Sequence, residues 1–255
     1  MNQAEATELL RGEFGNVLLK NMMNYVTSIA WGQFSNGDFK IDNNGTAFFL
    51  DMGAGPFFVT AAHVYEGYSE AKLKNPNLRC VLGSLEIDLE ARCKGYLGSK
   101  KLDIATFRIK AAEVKQANKH ICYGAGKWPI EKVSQGAGVL IGGFPGLERE
   151  KLDVQEYSFG LYAALTPVNS SSDRHFGCVL ERSGWIDTFG HGLPKVGYDM
   201  GGMSGGPAFL FHESAGSIVT WDLAGVIYSS STEIGEVLFC HHSQFIQSDG
   251  SLCEP

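Results

Sequence analysis

No stretch of this sequence approaches the roughly 18 consecutive apolar residues that a membrane-spanning helix requires. Positive charge is also scarce. The chain carries 21 Lys and Arg against 28 Asp and Glu, a net charge of -7, and no basic stripe interrupts that balance. Such a surface repels phosphate backbones, which argues against nucleic acid as a partner. The first residues include Glu5 and Glu8 and lack the basic head and apolar run of a secretory signal, so a soluble, cytoplasmic protein is expected. The 6 cysteines are scattered and form no CxxC pair, which suits free thiols in a reducing compartment better than a disulfide framework. Internal repeats and low-complexity tracts are missing too.

What is present points to a globular β-protein. The 255 residues can bury a sizeable core, and 44% hydrophobic against 19% charged residues places the chain far from disorder. Its 32 glycines, set among β-branched and aromatic residues, indicate many short strands joined by tight turns. Strand-like runs begin near residue 25 and recur to the C-terminus, for example Thr46–Asp51, Pro56–Thr60, Arg79–Leu82, Ile104–Ile109, Gly138–Ile141, Pro207–Phe211, Ile218–Tyr228 and Glu236–Cys240. Turn signals separate them: Ser35-Asn36-Gly37-Asp38, Asp42-Asn43-Asn44-Gly45, Gly53-Ala54-Gly55-Pro56 and Gly142-Gly143-Phe144-Pro145-Gly146. Strands this short and frequent argue for barrels or a sandwich. Before them, Leu9, Leu10, Phe14, Val17, Leu18 and Met22 have helical spacing and predict a short helix within residues 1–24. Residues 112–136 read as a linker, and 166–200 as a long irregular loop with a functional role.

Three segments could carry chemistry. In Gly201-Gly202-Met203-Ser204-Gly205-Gly206-Pro207 a serine sits among glycines. A serine hydroxyl needs a base to become a nucleophile, and the developing oxyanion needs aimed donors. Glycines permit the backbone angles that bring two N–H groups together beside the serine. In Phe58-Val59-Thr60-Ala61-Ala62-His63-Val64 a histidine follows an apolar strand, and its near-neutral pKa suits a general base. In Leu102-Asp103-Ile104-Ala105-Thr106-Phe107 an aspartate opens a strand, where it could fix a histidine tautomer. Each alone has an ordinary explanation: a glycine-rich turn, a partly buried histidine and a solvated strand end. Their joint order is far more specific.

The TAAHV, DIATFRI and GMSGGP segments resemble the three signature segments of chymotrypsin-fold, trypsin-like serine peptidases. Gly45-Thr46-Ala47-Phe48-Phe49 resembles a strand of the same family, and Val139–Gly146 is similar to a strand and turn of its HtrA-like branch. The resemblance covers roughly residues 25–247. It implies an all-β chain of two antiparallel six-stranded β-barrels preceded by a short helix: residues 1–24 as an extension, 25–130 as the first barrel, and 131–255 as the second barrel and tail. It further implies His63, Asp103 and Ser204 as a catalytic triad, with the N–H groups of Gly202 and Ser204 as oxyanion hole. Gly225–Ser230 would pair with an extended protein or peptide substrate, placing Tyr228, Ser229 and Ser230 in substrate binding. Tyr198 would form the floor of the primary pocket, with Val237 on a wall, and the lack of a carboxylate at that base suggests an apolar preference.

The sequence departs from the secreted family members. Met203 stands where many of them have an aspartate, and no Ile-Val-Gly-Gly segment precedes the first barrel, so no zymogen activation of that kind is expected. No PDZ domain is expected after the second barrel, and neither cofactor nor metal is implied. Two other readings compete. Gly202-Met203-Ser204-Gly205-Gly206 also matches the G-x-S-x-G elbow of α/β-hydrolases, with Asp222 and His241 or His242 following in the required order. Pro207 and a strand-like run follow it, however, rather than a helix, and no alternating βαβ pattern precedes it. The chain could instead be a catalytically silent scaffold, or a peptidase active only when a protein partner aligns it. Cys240-His241-His242 could suggest a metal, but neighbours on a strand point to opposite faces.

Overall fold

The computed structural model describes residues 12–35, 37–124, 128–154, 156–182, 195–213, 219–232 and 235–254. Two curled antiparallel sheets dominate it. The first contains β1 (Val26–Ser35), β2 (Asp38–Asp51), β3 (Phe57–Thr60), β4 (Arg79–Leu82), β5 (Leu85–Ile87), β6 (Cys93–Tyr96) and β7 (Ala105–Arg108). They run in the order β5-β4-β1-β2-β3-β7-β6, and the short β8 (Cys122–Tyr123) pairs parallel to β2. A two-stranded hairpin, β10 (Arg149–Lys151) with β11 (Tyr157–Phe159), stands apart. The second sheet holds β9 (Gly138–Gly143), β12 (Tyr162–Pro167), β13 (Ser170–Ser171), β14 (His175–Val179), β15 (Pro207–Glu213), β16 (Val219–Ser231) and β17 (Val237–His242). Its order is β12-β9-β15-β16-β17-β14-β13. The helices are α1 (Glu13–Tyr25), α2 (Ala62–Lys74), α3 (Leu89–Arg92) and α4 (Ala111–Gln116).

The alternation of side chains along these strands explains why two sheets form one body. In β2, Phe39 and Ile41 are buried while Lys40 and Asp42 are exposed, the pattern of a ribbon with one wet face. From Asn44 to Leu50 every residue is buried. There the odd positions Ala47 and Phe49 enter the interior of the first sheet with Ile29, Phe58 and Phe107. The even positions Phe48 and Leu50 enter a second core with Leu140, Phe144, Phe209, Leu223 and Val226. That second core lies between the sheets. The other faces of the second-sheet strands, including Val139, Ile141, Ala208, Ala224 and Ile227, fill a third core. Each sheet thus encloses its own interior and shares one interface with the other. Helix α1 seals the interface with Leu18 and Met22, one turn apart, and Gly142 admits Met22 because any Cβ would lie 2.8 Å from its Cγ.

The all-β architecture with an N-terminal helix agrees with the sequence reading. The strand count differs, at eight and seven rather than six and six among the described residues, because β5, β8 and β13 are two- or three-residue pieces with too little pattern to read. Helix α2 has no counterpart in the sequence reading. Of its buried residues only Val64 and Tyr68 share a face, with Ala62 on another side, so no helical stripe stands out among polar neighbours. The expected linker 112–136 contains most of α4 and all of β8, and the expected loop 166–200 contains the β13–β14 hairpin, while residues 183–194 lie outside the described set. Of the expected N-terminal helix, residues 1–11 also lie outside it.

Candidate active site

His63 sits in the first turn of α2, directly after β3. Ala61 and Ala62 are fully buried and small, so the chain turns tightly from strand to helix and leaves the His63 side chain 43% exposed on the open side. Asp103 precedes β7, which pairs with β3. Its neighbours Leu102 and Ile104 are fully buried in the intersheet core, so the carboxylate is held on the opposite side. Both carboxylate oxygens engage one residue: Oδ2 accepts from His63 Nδ1 at 2.7 Å, and Oδ1 accepts from the His63 backbone N–H at 2.8 Å. A carboxylate can only accept here, so Nδ1 carries the proton and neutral His63 keeps a lone pair on Nε2. Burial alone would lower the His63 pKa. The hydrogen bond and charge of Asp103, with the more distant Glu66, outweigh it and move the pKa above 6.5.

Glu66, one turn further along α2, ties that helix to the loop leading to Asp103. It accepts from Tyr96 Oη at 2.7 Å, from Ser99 N at 2.8 Å and from Ser99 Oγ at 2.5 Å. Behind Asp103 lies His241 of β17. Its Nε2 accepts from the Asp103 N–H at 3.3 Å, and its Nδ1 donates to the Arg174 carbonyl at 3.3 Å. These partners require the neutral Nδ1–H form. Desolvation agrees, lowering the His241 pKa to about 4. The ring of Tyr228 stacks on His241 at 4.1 Å. His242 points elsewhere, bridging Val133 N and Ser172 O, as adjacent strand residues must.

Ser204 lies in the turn that opens into β15, and four carbonyls around it are held. Gly201 O accepts from Gly146 N at 2.7 Å, Gly202 O from Thr46 Oγ1 at 2.8 Å, Met203 O from Gly206 N at 2.9 Å, and Ser204 O from Thr46 N at 2.9 Å. Among the described residues, the N–H groups of Gly202 and Ser204 have no acceptor. Gly202, at φ +101°, adopts the left-handed geometry this turn needs. Gly205, at φ +89°, lets the turn press on the first sheet: a Cβ there would lie 2.2 Å from Thr46 O and 2.8 Å from Ala61 N. The serine turn and the start of α2 therefore abut. The structure brings Ser204 to the region of His63 but closes no hydrogen bond between its hydroxyl and the imidazole.

The remaining sequence candidates separate. β15 pairs with β16 only as far as Pro207–Val226, whereas β17 continues beside β16 past Ser230. Tyr228, Ser229 and Ser230 therefore lie on a stretch of β16 flanked by a strand on one side, and a bulge in the β16–β17 ladder falls at Tyr228. Tyr198 is 9% exposed, packs in the core of the second sheet, stacks near Tyr162 and donates its hydroxyl to Glu148 at 2.5 Å. Val237 is also buried, and its neighbour Glu236 is held by Arg182 Nε at 3.0 Å. The hydrolase-elbow reading finds no support in these contacts: Ser204 leads into strand β15 rather than a helix, and His241 engages Asp103 N and Arg174 O. Thr46, Gly146, Glu66 and His241 carry supporting roles that sequence reasoning did not assign. Thr46 lay in a noted strand and His241 in a noted His pair, but their contacts span 156 and 138 residues of chain.

The two curled antiparallel sheets, with these residues at their junction, are consistent with the two-barrel architecture expected from the sequence. No protein-family model and no curated protein matches the sequence. Among solved structures, the chain is similar to a thermostable serine protease, AL20, from an extremophilic microorganism, with a TM-score of 0.47 and 12% identity over 86% of this chain and 91% of that one. It is also similar to the serine protease domain of the Sesbania mosaic virus polyprotein, with a TM-score of 0.43 and 13% identity over 85% and 87% of the two chains. A third likeness, with a TM-score of 0.45 and 13% identity over 88% and 91%, is to a structure describing coupled folding and binding of the same virus's disordered VPg protein. No described helix is long and apolar enough to cross a membrane.

Proposed function

We propose that this chain is a serine endopeptidase that cleaves peptide bonds through an acyl-enzyme. The observation that carries the reading is the double engagement of His63 by Asp103 beside a turn whose Gly202 and Ser204 N–H groups are uncommitted. Ser204 Oγ attacks the substrate carbonyl carbon while His63 Nε2 takes its proton. The resulting oxyanion is received by the two N–H groups. His63 then gives the proton to the leaving amine, and a water repeats the sequence in reverse to free the acid. Asp103 holds the ring in place and stabilises the imidazolium. An extended substrate adds as a strand along Tyr228, Ser229 and Ser230.

The residue before the scissile bond is apolar in this proposal. The carboxylate next to the candidate wall Val237 pairs with Arg182 through Oε1, and Tyr198 has its hydroxyl occupied by Glu148. Residues 25–130 and 131–255 act as the two barrels, and the unpaired state of all six cysteines suits a reducing, cytoplasmic setting.

A fluorophosphonate probe tests the reading, with Ser204→Ala alongside and with casein and a short-chain ester as substrates. Labelling lost in the variant, together with casein cleavage, supports the endopeptidase. Ester turnover without proteolysis replaces it with an esterase. Absence of labelling in the unmodified protein replaces it with a silent scaffold.

A further inference from the structure

We propose that Thr46 is a positioning residue for the oxyanion hole, a role that rests on the peptidase reading above. Thr46 lies on β2 of the first sheet and is fully buried, yet its bonds reach the serine turn of the second. Its hydroxyl accepts from Phe144 N–H at 2.9 Å, so the single hydroxyl hydrogen is directed to Gly202 O at 2.8 Å. Its backbone N–H holds Ser204 O at 2.9 Å. One residue thus fixes the carbonyls on both sides of Met203.

The two N–H groups that would receive the oxyanion belong to the peptides alternating with those two. Gly201 and Gly202 have no side chains to restrain them, so the peptide between Gly202 and Met203 keeps its orientation only through its partners. The Thr46 hydroxyl is the partner of its carbonyl. Met203 N–H still ties the other end of that peptide to Met200 O at 3.1 Å, and Gly146 N–H holds Gly201 O at 2.7 Å, so releasing the carbonyl shifts the Gly202 N–H relative to Ser204 N–H without freeing it. Thr46 itself is braced: its carbonyl accepts from Thr60 Oγ1 at 2.7 Å, three residues before His63. Nearby, Asn44 Nδ2 holds Phe144 O at 3.1 Å, which steadies the loop whose Gly146 N–H holds Gly201 O. The first sheet therefore supplies the base, and through Thr46 it also sets the shape of the anion site on the second.

Thr46→Val keeps the shape and removes the hydroxyl, while Thr46→Ser keeps the hydroxyl. Enzyme concentration is set by active-site titration, kcat and KM are measured on a peptide substrate, and a peptide aldehyde reports affinity for the tetrahedral adduct. Loss of one oxyanion donor costs on the order of 100- to 1000-fold in kcat, and misplacement should cost less. Thr46→Val is expected to lower kcat about 10- to 100-fold with KM within about 3-fold, weaken the aldehyde in proportion, and leave the His63 limb of the pH profile in place. Thr46→Ser should stay within about 3-fold of the unmodified protein. If the valine variant does not fold, Thr46→Cys, with its weak donor, should give an intermediate loss. A kcat unchanged in the valine or cysteine variant, an equal loss in kcat and substrate affinity, or a serine variant as impaired as valine overturns the proposal. Absence of fluorophosphonate labelling in the unmodified protein overturns the peptidase reading and this role with it.

Discussion

Acidification should destabilise the protein through His241, well above the range where carboxylates titrate. Its ring is 7% exposed and neutral, accepting from Asp103 N–H and donating to Arg174 O, with Tyr228 stacked on one face. Desolvation brings its pKa down to about 4, opposed by the Arg174 carbonyl and Asp103, with the charges of His175 and Arg174 adding to the depression. The unfolded chain takes the proton near 6.5, so between 6.5 and 4 the unfolded state binds more protons than the folded one. Stability is therefore complete above about pH 6.5 and falls as the pH is lowered. The full gap corresponds to about 3 kcal/mol, of which about 2 kcal/mol is lost by pH 5. His242 shifts in the same direction. His63 acts oppositely: its raised pKa adds stability that is present below 6.5 and fades as the pH rises through its folded value. Glu113, held at about 2 by Arg92, contributes stability that is complete above about 4.5 and is lost only as the pH falls from there through about 2, below the range measured. Urea unfolding followed by tryptophan fluorescence at pH 7.5, 6.5, 5.5 and 5.0 isolates the effect when run beside His241→Gln. The stability difference between the two proteins should shrink or reverse by about 2 kcal/mol across that range. Parallel pH dependences, within about 0.5 kcal/mol of each other, refute the reasoning.

Asp103→Asn removes the group that fixes the His63 tautomer, so fluorophosphonate labelling of Ser204 should slow by at least about 100-fold while the melting temperature changes far less. Gly205→Ala adds a Cβ 2.2 Å from Thr46 O at a φ of +89°, and thermal melting should show a loss greater than about 2 kcal/mol. Phe107, fully buried and stacked on Phe58 at 4.8 Å, should cost about 3–5 kcal/mol on replacement by Ala, read from the urea midpoint.

Much of the fold was legible because its signals are local. Ser35-Asn36-Gly37-Asp38, with Gly37 at φ +80°, marks the start of the β1–β2 hairpin, whereas the similar signal Asp42-Asn43-Asn44-Gly45 misleads: β2 runs straight through it from Asp38 to Asp51, because its inward positions are buried by the tertiary structure. Short runs such as Phe57–Thr60 read as strands because they consist of aromatic and β-branched residues and follow a turn signal. Helix α2 was missed because among its buried residues only Val64 and Tyr68 follow helical spacing, and Gly67 weakens the pattern further. Tyr198 was placed by counting back from Ser204. A count gives position along the chain, not the direction of a ring, and its hydroxyl turned out to be spent on Glu148.

The sequence by itself determined the strand-rich class and the choice of His63, Asp103 and Ser204 as candidates. Those follow from residue type and short-range spacing. Only the tertiary structure decided how they are supported. That Asp103 spends both oxygens on His63, that His241 stands neutral behind it, and that Thr46 holds the turn beside Ser204 are contacts between residues 40 to 158 positions apart. No periodicity connects such positions. They meet because alternate residues of β2 face different cores, and closing the core between the sheets brings the serine turn against the strand that precedes the histidine.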